Sequence, residues 1–256
     1  MSVKTEIKDH IAKVTLARPE IHNAFNAEMI SKLTNIFQDL SSDKKLRAVV
    51  LSAEGKSFCA GGDLNWMKST LNFSYEENIN DAKKLADMFM AIYKCSIPVI
   101  GRIQGTAIGG GVGLVSVCDM ACAVESAKFA LSEVRIGLLP AVISPFVLRK
   151  LIPGEARRYF LTSERFDANE ARRIGLISEV TKTPEEMDLK INGWIESILG
   201  GGPEAIKICK QMMGEIPFMG LDKALEITSK QIAERRVSKE GQEGMLAFLE
   251  KRNPKW

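Results

Sequence analysis

The chain has 256 residues, of which 45% are hydrophobic, and its 35 basic and 32 acidic residues give a net charge of +3. At roughly 150 residues per domain, this length predicts one large domain, or one domain with a small appendage. The small net charge does not indicate a nucleic-acid partner. No apolar stretch of about 18 residues occurs, so no membrane span is predicted.

The numbers of cysteines and histidines limit the kinds of disulfide and metal site that the chain can form. Five cysteines are scattered without a Cys-x-x-Cys pair, which is typical of buried free thiols in a reducing compartment. Only two histidines occur, so a histidine-rich metal site is excluded and no metal is predicted. The first ten residues lack the layout of a signal peptide, and the expected location is the cytoplasm.

The residue pattern predicts the following elements in chain order. They are a β-hairpin over residues 3–16, a helix over 26–40, a strand over 47–52, a helix ending near Cys95, a strand from Pro98, and a helix from the glycines at 109–113 through 123. Strands and helices that alternate in this way indicate a parallel sheet. Periodicity after Pro140 is mostly helical, so we expect an α/β core over 1–195 and a helical C-terminal region over 196–256.

Two glycine-rich turns each follow a predicted strand and precede a predicted helix. The first is FCAGGD at residues 58–63, and the second is IGGGVG at residues 108–113. Glycine lets backbone N–H groups approach a ligand closely, and N–H groups at a helix start favour negative charge. Two converging N–H donors suit the oxyanion that develops on a thioester carbonyl. The alternative is that these glycines only permit tight turns and close packing.

Glu133 is a carboxylate within a largely apolar stretch, residues 128–140. Desolvation of such a group raises its pKa toward a value useful for proton transfer. The alternative is a solvated glutamate paired with Arg135.

In this order, these segments closely resemble the crotonase superfamily, also called the enoyl-CoA hydratase/isomerase family. The match begins with LARPEIHNAFN at 16–26, continues through both glycine turns and PVIGRIQG at 98–105, and ends with GMLAFLEKR at 244–252. The resemblance implies an α/β fold with a repeated ββα spiral core and a helical C-terminal trimerisation region. It also implies a trimer or a dimer of trimers, and an acyl-CoA thioester substrate with no separate cofactor.

The resemblance assigns roles to individual positions. Gly62 and Gly110 would supply the oxyanion-hole N–H groups, and Glu133 would exchange the proton at Cα. The positions that match the CoA site are Glu20, Ile21, His22, Ala60, Gly61, Asp63 and Leu64. Phe248 and Lys251 match C-terminal residues that, in hydratases, reach CoA bound to a neighbouring subunit.

Gly113 departs from the pattern of typical hydratases, which carry their first catalytic glutamate at this position. Isomerases of the superfamily can work with one glutamate. However, residues 132–145 and 156–166 are similar to bacterial 3-methylglutaconyl-CoA hydratase-like members. The favoured function is therefore hydration of a branched or carboxylated enoyl-CoA thioester such as 3-methylglutaconyl-CoA. The alternatives are an enoyl-CoA delta-isomerase and a non-catalytic CoA- or RNA-binding relative.

Positive charge concentrates between Arg149 and Arg173, where seven basic residues are interleaved with acidic ones. The segment could bind CoA phosphates, a substrate carboxylate or nucleic acid, or form ion pairs at the surface of its helices. Because acidic residues are interleaved with the basic ones, nucleic acid is not an expected partner. Ion pairing is the favoured interpretation.

Overall fold

The computed structural model describes residues 2–256, in which ten β-strands and eleven α-helices are present. The strands are β1 (Val3–Lys8), β2 (Ile11–Leu16), β3 (Ala48–Ala53), β4 (Ser57–Cys59), β5 (Val99–Ile103), β6 (Thr106–Ile108), β7 (Met120–Val124), β8 (Lys128–Ala130), β9 (Phe166–Asp167) and β10 (Glu179–Thr181). The helices are α1 (Ala27–Ser42), α2 (Leu64–Thr70), α3 (Tyr75–Tyr93), α4 (Gly110–Val117), α5 (Ser144–Lys150), α6 (Pro153–Thr162), α7 (Ala168–Arg173), α8 (Pro184–Gly200), α9 (Pro203–Glu215), α10 (Leu221–Val237) and α11 (Lys239–Leu249). Three short 3-10 turns cover Pro19–Ile21, Glu133–Ile136 and Ile216–Phe218.

The strands form two sheets. The first has the order β1-β2-β3-β5-β7-β10, in which β1 is antiparallel to β2 and the other pairs are parallel. The second has the order β4-β6-β8-β9, in which only β9 is antiparallel to its neighbour. From β3 to β8 successive strands enter the two sheets alternately, which produces a ββα spiral. The predicted α/β fold with a ββα spiral core is confirmed.

Hydrophobic burial explains the central elements. All six residues of β3 are buried, as expected for a parallel strand covered on both faces. Helix α1 begins after Asn26, whose side chain accepts a hydrogen bond from the Met29 N–H at 3.0 Å. Its buried face packs against α3 and contains Met29, Ile30, Leu33, Phe37 and Leu40.

The helix predicted from the glycines at 109–113 through 123 is shorter than expected. Helix α4 ends at Val117, and residues 120–124 form β7 in the first sheet. The Asp119 N–H donates to Val99 O at 2.8 Å, which directs the chain into this sheet. A continuous apolar run does not distinguish a buried helix from a buried strand, which explains the error. Cys118 therefore follows the end of α4, whereas Cys122 lies in β7.

The C-terminal part is largely helical, as predicted, but its periodicity missed two short strands. One of them, β10, pairs with β7 and closes the edge of the first sheet. The predicted boundary between residues 195 and 196 falls within α8. Four of the five free cysteines are buried, whereas Cys209 is exposed, so the expectation of burial is wrong for Cys209.

Ion pairs account for much of the basic segment between residues 149 and 173. Arg158 pairs with Glu164, Arg172 pairs with Glu179, and Arg173 contacts two glutamates. The interleaved acidic residues predict this arrangement. Across residues 2–256, no helix combines the length and apolarity that a membrane crossing needs. The same residues contain no cluster of three or more side chains suited to hold a metal ion.

Candidate active site

The first glycine turn is fixed by a backbone bridge to Phe25. The Phe25 N–H donates to Gly61 O at 2.8 Å, and the Asp63 N–H donates to Phe25 O at 2.8 Å. Phe25 and Gly62 are opposite each other in this parallel bridge, and both hydrogen bonds are made by the chain neighbours of Gly62, Gly61 and Asp63. The N–H of Gly62 itself therefore points away from Phe25. Gly61 has a φ of +89°, which only glycine adopts without strain. The turn therefore presents a free amide at Gly62.

An ion pair supports this turn from behind. The Arg18 guanidinium donates to Asp63 Oδ2 at 2.8 Å and to Ala24 O at 2.9 Å, and the side chains of Arg18 and Asp63 are 19% and 8% exposed. Asp63 also caps α2 by accepting from the Asn65 N–H. Burial alone would raise the pKa of Asp63, but the hydrogen bonds from Asn65 and Arg18 outweigh it and hold the pKa below its usual value.

We expect Asp63→Ala to lower the free energy of unfolding by about 3 kcal/mol, because it leaves the Arg18 charge buried without its partner. Urea unfolding at neutral pH measures this loss. Glu28→Ala, which breaks the exposed pair of Glu28 with Lys32, should leave stability nearly unchanged. Because the folded pKa of Asp63 is depressed, the stabilisation should persist at neutral pH and disappear only in strong acid. Equal losses in the two variants would contradict the prediction.

The second glycine turn joins β6 to α4 and touches the first. Gly109 has a φ of +53°, and its N–H donates to Ala130 O at 2.8 Å. A Cβ built on Gly61 would lie 3.5 Å from Gly110 N, so the two turns are in contact. Gly110 is the first residue of α4, where N–H groups have no partner within the helix. Neither the Gly62 nor the Gly110 amide donates to a protein acceptor within residues 2–256.

Glu133 lies directly over the second turn. A Cβ on Gly109 would be 2.9 Å from Glu133 Oε1, which places the carboxyl group one residue from the Gly110 amide. Among the described residues, the buried Glu133 Oε2 has no hydrogen-bond partner. Burial raises the pKa of Glu133 above its usual value. The alternative interpretation, a solvated pair with Arg135, does not occur, because the Arg135 guanidinium donates to Ser163 Oγ and Thr162 O instead.

Gly113 is enclosed by apolar side chains. A Cβ at this position would lie 2.4 Å from Ile143 Cγ2 and 2.9 Å from the Phe89 ring. A glutamate therefore cannot occupy this position without displacing Ile143 and Phe89. Of the two carboxylates at the turns, Asp63 is paired with Arg18, whereas Glu133 lies beside the second turn with a buried oxygen that has no partner among the described residues.

Known proteins are similar to this chain in both sequence and architecture. A family model described as enoyl-CoA hydratase/isomerase matches residues 6–256. The chain belongs to the enoyl-CoA hydratase/isomerase family. Its relatives are named as hydratases, and it is an enoyl-CoA hydratase-type enzyme of the crotonase superfamily.

Three relatives in this family illustrate the similarity. The short-chain-enoyl-CoA hydratase of Clostridium acetobutylicum is 30% identical, with 98% of this chain and 95% of the relative covered. The (E)-benzylidenesuccinyl-CoA hydratase of Thauera aromatica is 31% identical, with 99% and 98% covered. The crystal structure of an enoyl-CoA hydratase from Shewanella pealeana has a TM-score of 0.95 at 37% identity, with 100% and 96% covered.

Several of the residues predicted to bind CoA are neighbours at the first glycine turn, although Gly61 and Asp63 are buried. The Ala60 N–H donates to His22 O at 3.0 Å, which joins the Glu20–His22 stretch to the first glycine turn. His22 and Ala60 are exposed, and His22 Nδ1 is 3.0 Å from Ser57 Oγ. Leu64 follows the turn and is 80% exposed. These positions are accessible to a ligand.

Phe248 and Lys251 lie far along the chain, at the end of α11 and just beyond it. Helix α11 packs against α10, and Phe248 is 84% exposed. The contact of Phe248 and Lys251 with CoA on a neighbouring subunit remains a prediction.

Several contacts that shape the site were not predicted. The Phe25 ring packs against Gly110, and Trp66 and Met67 lie 3.5 Å from a Cβ built on Gly62. One feature of the sequence could have indicated the ion pair of Arg18 with Asp63. Arg18 lies in the segment 16–26 and Asp63 in the first glycine turn, and both segments match the family.

Proposed function

We propose that this enzyme hydrates a branched or carboxylated enoyl-CoA thioester, such as 3-methylglutaconyl-CoA, with Glu133 as its single acid and base. The observation that carries the proposal is the position of Glu133, one residue from the Gly110 amide with a buried, unpartnered oxygen. The apolar enclosure of Gly113 supports a mechanism without a second carboxylate.

The Gly62 and Gly110 amides form the oxyanion hole. The thioester carbonyl oxygen accepts from both N–H groups, and these bonds strengthen as negative charge develops on that oxygen. Fixed donors in a site that excludes water stabilise such charge without reorganisation. The position of Gly110 at the start of α4 adds the favourable end of a helix dipole.

Glu133 transfers the proton in both halves of the reaction. Its carboxylate takes a proton from water as the water oxygen bonds to Cβ, and the electron pair of the double bond moves onto the thioester as an enolate. The protonated Glu133 then gives that proton to Cα, which restores the thioester carbonyl. The sum is addition of one water molecule, and Glu133 returns to its starting state.

The side chains beside the first turn suit an acyl group with an apolar part. Trp66 and Met67 are half-buried and lie beside Gly62, where they give the turn an apolar surface. A carboxylate on the substrate supplies what the enzyme lacks, because it can hold the attacking water that a first glutamate would otherwise orient. The relative named (E)-benzylidenesuccinyl-CoA hydratase acts, by its name, on a substituted and carboxylated acyl group, which supports this substrate class.

The loss of absorbance of the conjugated enoyl thioester tests the function. The enzyme is mixed in parallel with 3-methylglutaconyl-CoA, 3-methylcrotonyl-CoA and crotonyl-CoA. We expect the fastest loss with 3-methylglutaconyl-CoA, while 3-methylcrotonyl-CoA separates the effect of the branch from that of the carboxylate. Equal rates with all three would overturn the substrate assignment.

A single glutamate also favours a second candidate, the enoyl-CoA delta-isomerase, because a 1,3-proton shift needs one shuttling base. In that case no substrate would lose absorbance by hydration. A 3-enoyl-CoA would instead gain absorbance as its double bond moves into conjugation.

The raised pKa of Glu133 predicts the pH dependence. Because the carboxylate must be deprotonated to accept a proton from water, kcat/KM should rise with pH through this pKa and then level off. We expect the midpoint above the ordinary value of 4.5. Crotonyl-CoA, which carries no carboxyl group of its own, is the control substrate. A midpoint at or below the ordinary value would contradict the prediction.

We also infer that the chain assembles as a trimer or a dimer of trimers. Helices α10 and α11 carry an unusual number of exposed apolar side chains, which favours burial against another subunit. These are Leu221, Leu225, Ile232, Val237, Met245, Leu246, Phe248 and Leu249. Light scattering measures the mass directly.

The five free thiols fit a reducing compartment, and we place the enzyme in the cytoplasm.

A further inference from the structure

Helix α4 has low intrinsic helical stability. It has only eight residues, and its first turn contains Gly110, Gly111 and Gly113. Glycine is the least favourable residue in a helix apart from proline, and helices this short are marginal without outside contacts. The orientation of the Gly110 amide therefore depends on groups that anchor α4 from elsewhere.

Lys150 provides such an anchor at the opposite end of the helix. Its Nζ donates to Val115 O at 3.3 Å and to Cys118 O at 2.5 Å. The last carbonyl groups of a helix have no partner within it and carry the negative end of its dipole, so an ammonium group suits them. Burial lowers the pKa of Lys150 below its usual value.

The Lys150 ammonium is available for these carbonyls because the nearby acid is already paired. Asp119 Oδ2 accepts from Lys210 Nζ at 2.7 Å and from the Val99 N–H at 2.7 Å. Lys150 is the last residue of α5, which packs against α4. Phe146 on the same helix contacts the Phe89 ring, so α5 is itself fixed in the core.

We propose that Lys150 is a positioning residue for the oxyanion hole, joining the C-terminal carbonyls of α4 to α5 so that the Gly110 amide at the other end keeps its direction. This inference rests on the proposed function of Gly110. Lys150 touches neither substrate nor reacting atoms, and it acts through the helix.

Three variants test the inference. Lys150→Met removes the charge and the donors at similar length, whereas Lys150→Arg keeps both. The side chain borders a cavity of about 770 Å³, which leaves room for either replacement. Lys207→Met is the matched control, since Lys207 lines the same cavity from α9 and pairs with Glu204. Lys150→Gln, which removes the charge but keeps an amide NH2 group, replaces the Met variant if that variant does not fold.

Two measurements are made on each intact enzyme. Steady-state kinetics should show kcat lowered at least tenfold in Lys150→Met with KM changed less than threefold. Lys150→Arg and Lys207→Met should stay within threefold of the starting enzyme. Infrared difference spectra of bound butyryl-CoA, labelled with ¹³C at its carbonyl, should show a carbonyl band at lower frequency than in water, and Lys150→Met should lose at least half of this shift.

The outcomes separate the two proposals. A carbonyl band that does not shift in the starting enzyme would overturn the oxyanion hole itself. A shifted band that Lys150→Met leaves unchanged would overturn only the inference about Lys150, whatever happens to kcat. Loss of activity in Lys150→Arg equal to that in Lys150→Met would also overturn it, because the retained charge and donors would then have no effect.

Discussion

Glu133→Gln is expected to lower kcat for hydration by about 10³-fold, within the range that positioned acid–base groups contribute. The amide has nearly the same shape as the carboxyl group but can neither accept the proton from water nor return it to Cα. Stopped assays with 3-methylglutaconyl-CoA measure the residual rate. Glu76→Gln, on the exposed first turn of α3, is the matched control and should retain full activity. Hydration by Glu133→Gln at more than a tenth of the starting rate would refute the single-glutamate mechanism.

The same Glu133→Gln variant should be more stable at neutral pH. Burial disfavours the charged carboxylate, so its removal relieves a cost that is present above the raised pKa. We expect the melting temperature to rise by about 2–4 °C at pH 7. Below the unfolded value of 4.5 the side chain is neutral in both states, and the gain should vanish. A variant that is both inactive and less stable at pH 7 would indicate a structural defect.

Gly110→Ala is expected to lower kcat by about 10²–10³-fold, the typical cost of losing one oxyanion donor. The added Cβ would lie 2.5 Å from Phe25 Cε2 and 2.8 Å from its Cζ. Phe25 is 1% exposed, so its ring cannot swing into solvent. Its backbone also holds the first glycine turn, so the clash pushes both oxyanion amides out of place.

Gly193→Ala is the control for Gly110→Ala, since no atom lies within 4 Å of a Cβ at that position in α8. It should keep full activity. Adding Phe25→Leu to Gly110→Ala shortens the opposing side chain and should restore part of the lost kcat. No recovery, together with an unchanged fold, would mean that the steric explanation is wrong.

Local sequence signals predicted much of the framework. The hairpin of β1 and β2, the capped start of α1 and the two glycine turns all depend on residues within a few positions of one another. Asp63 caps α2 directly after the first turn, and aspartate is a preferred residue at this position. Such features need no knowledge of distant contacts.

The features that could not be predicted depend on tertiary packing. Ile143 fills the space beside Gly113 from 30 positions away in the chain, and Glu133 reaches Gly109 only after the second sheet has formed. The end of α4 at Val117 depends on hydrogen bonds between Asp119 and Val99. Composition and periodicity contain no information about these partners.

The alternation of strands between two sheets has a consequence for how the site can evolve. Gly62, Gly110 and Glu133 follow the ends of β4, β6 and β8, three neighbouring parallel strands of the second sheet. Adjacent strands lie about 4.8 Å apart, a spacing set by main-chain hydrogen bonds. The separation of the three proposed catalytic positions is therefore set by the main chain of the second sheet. Substitutions of the surrounding side chains can therefore adapt the site to a new acyl group, while the distances between these three positions stay the same.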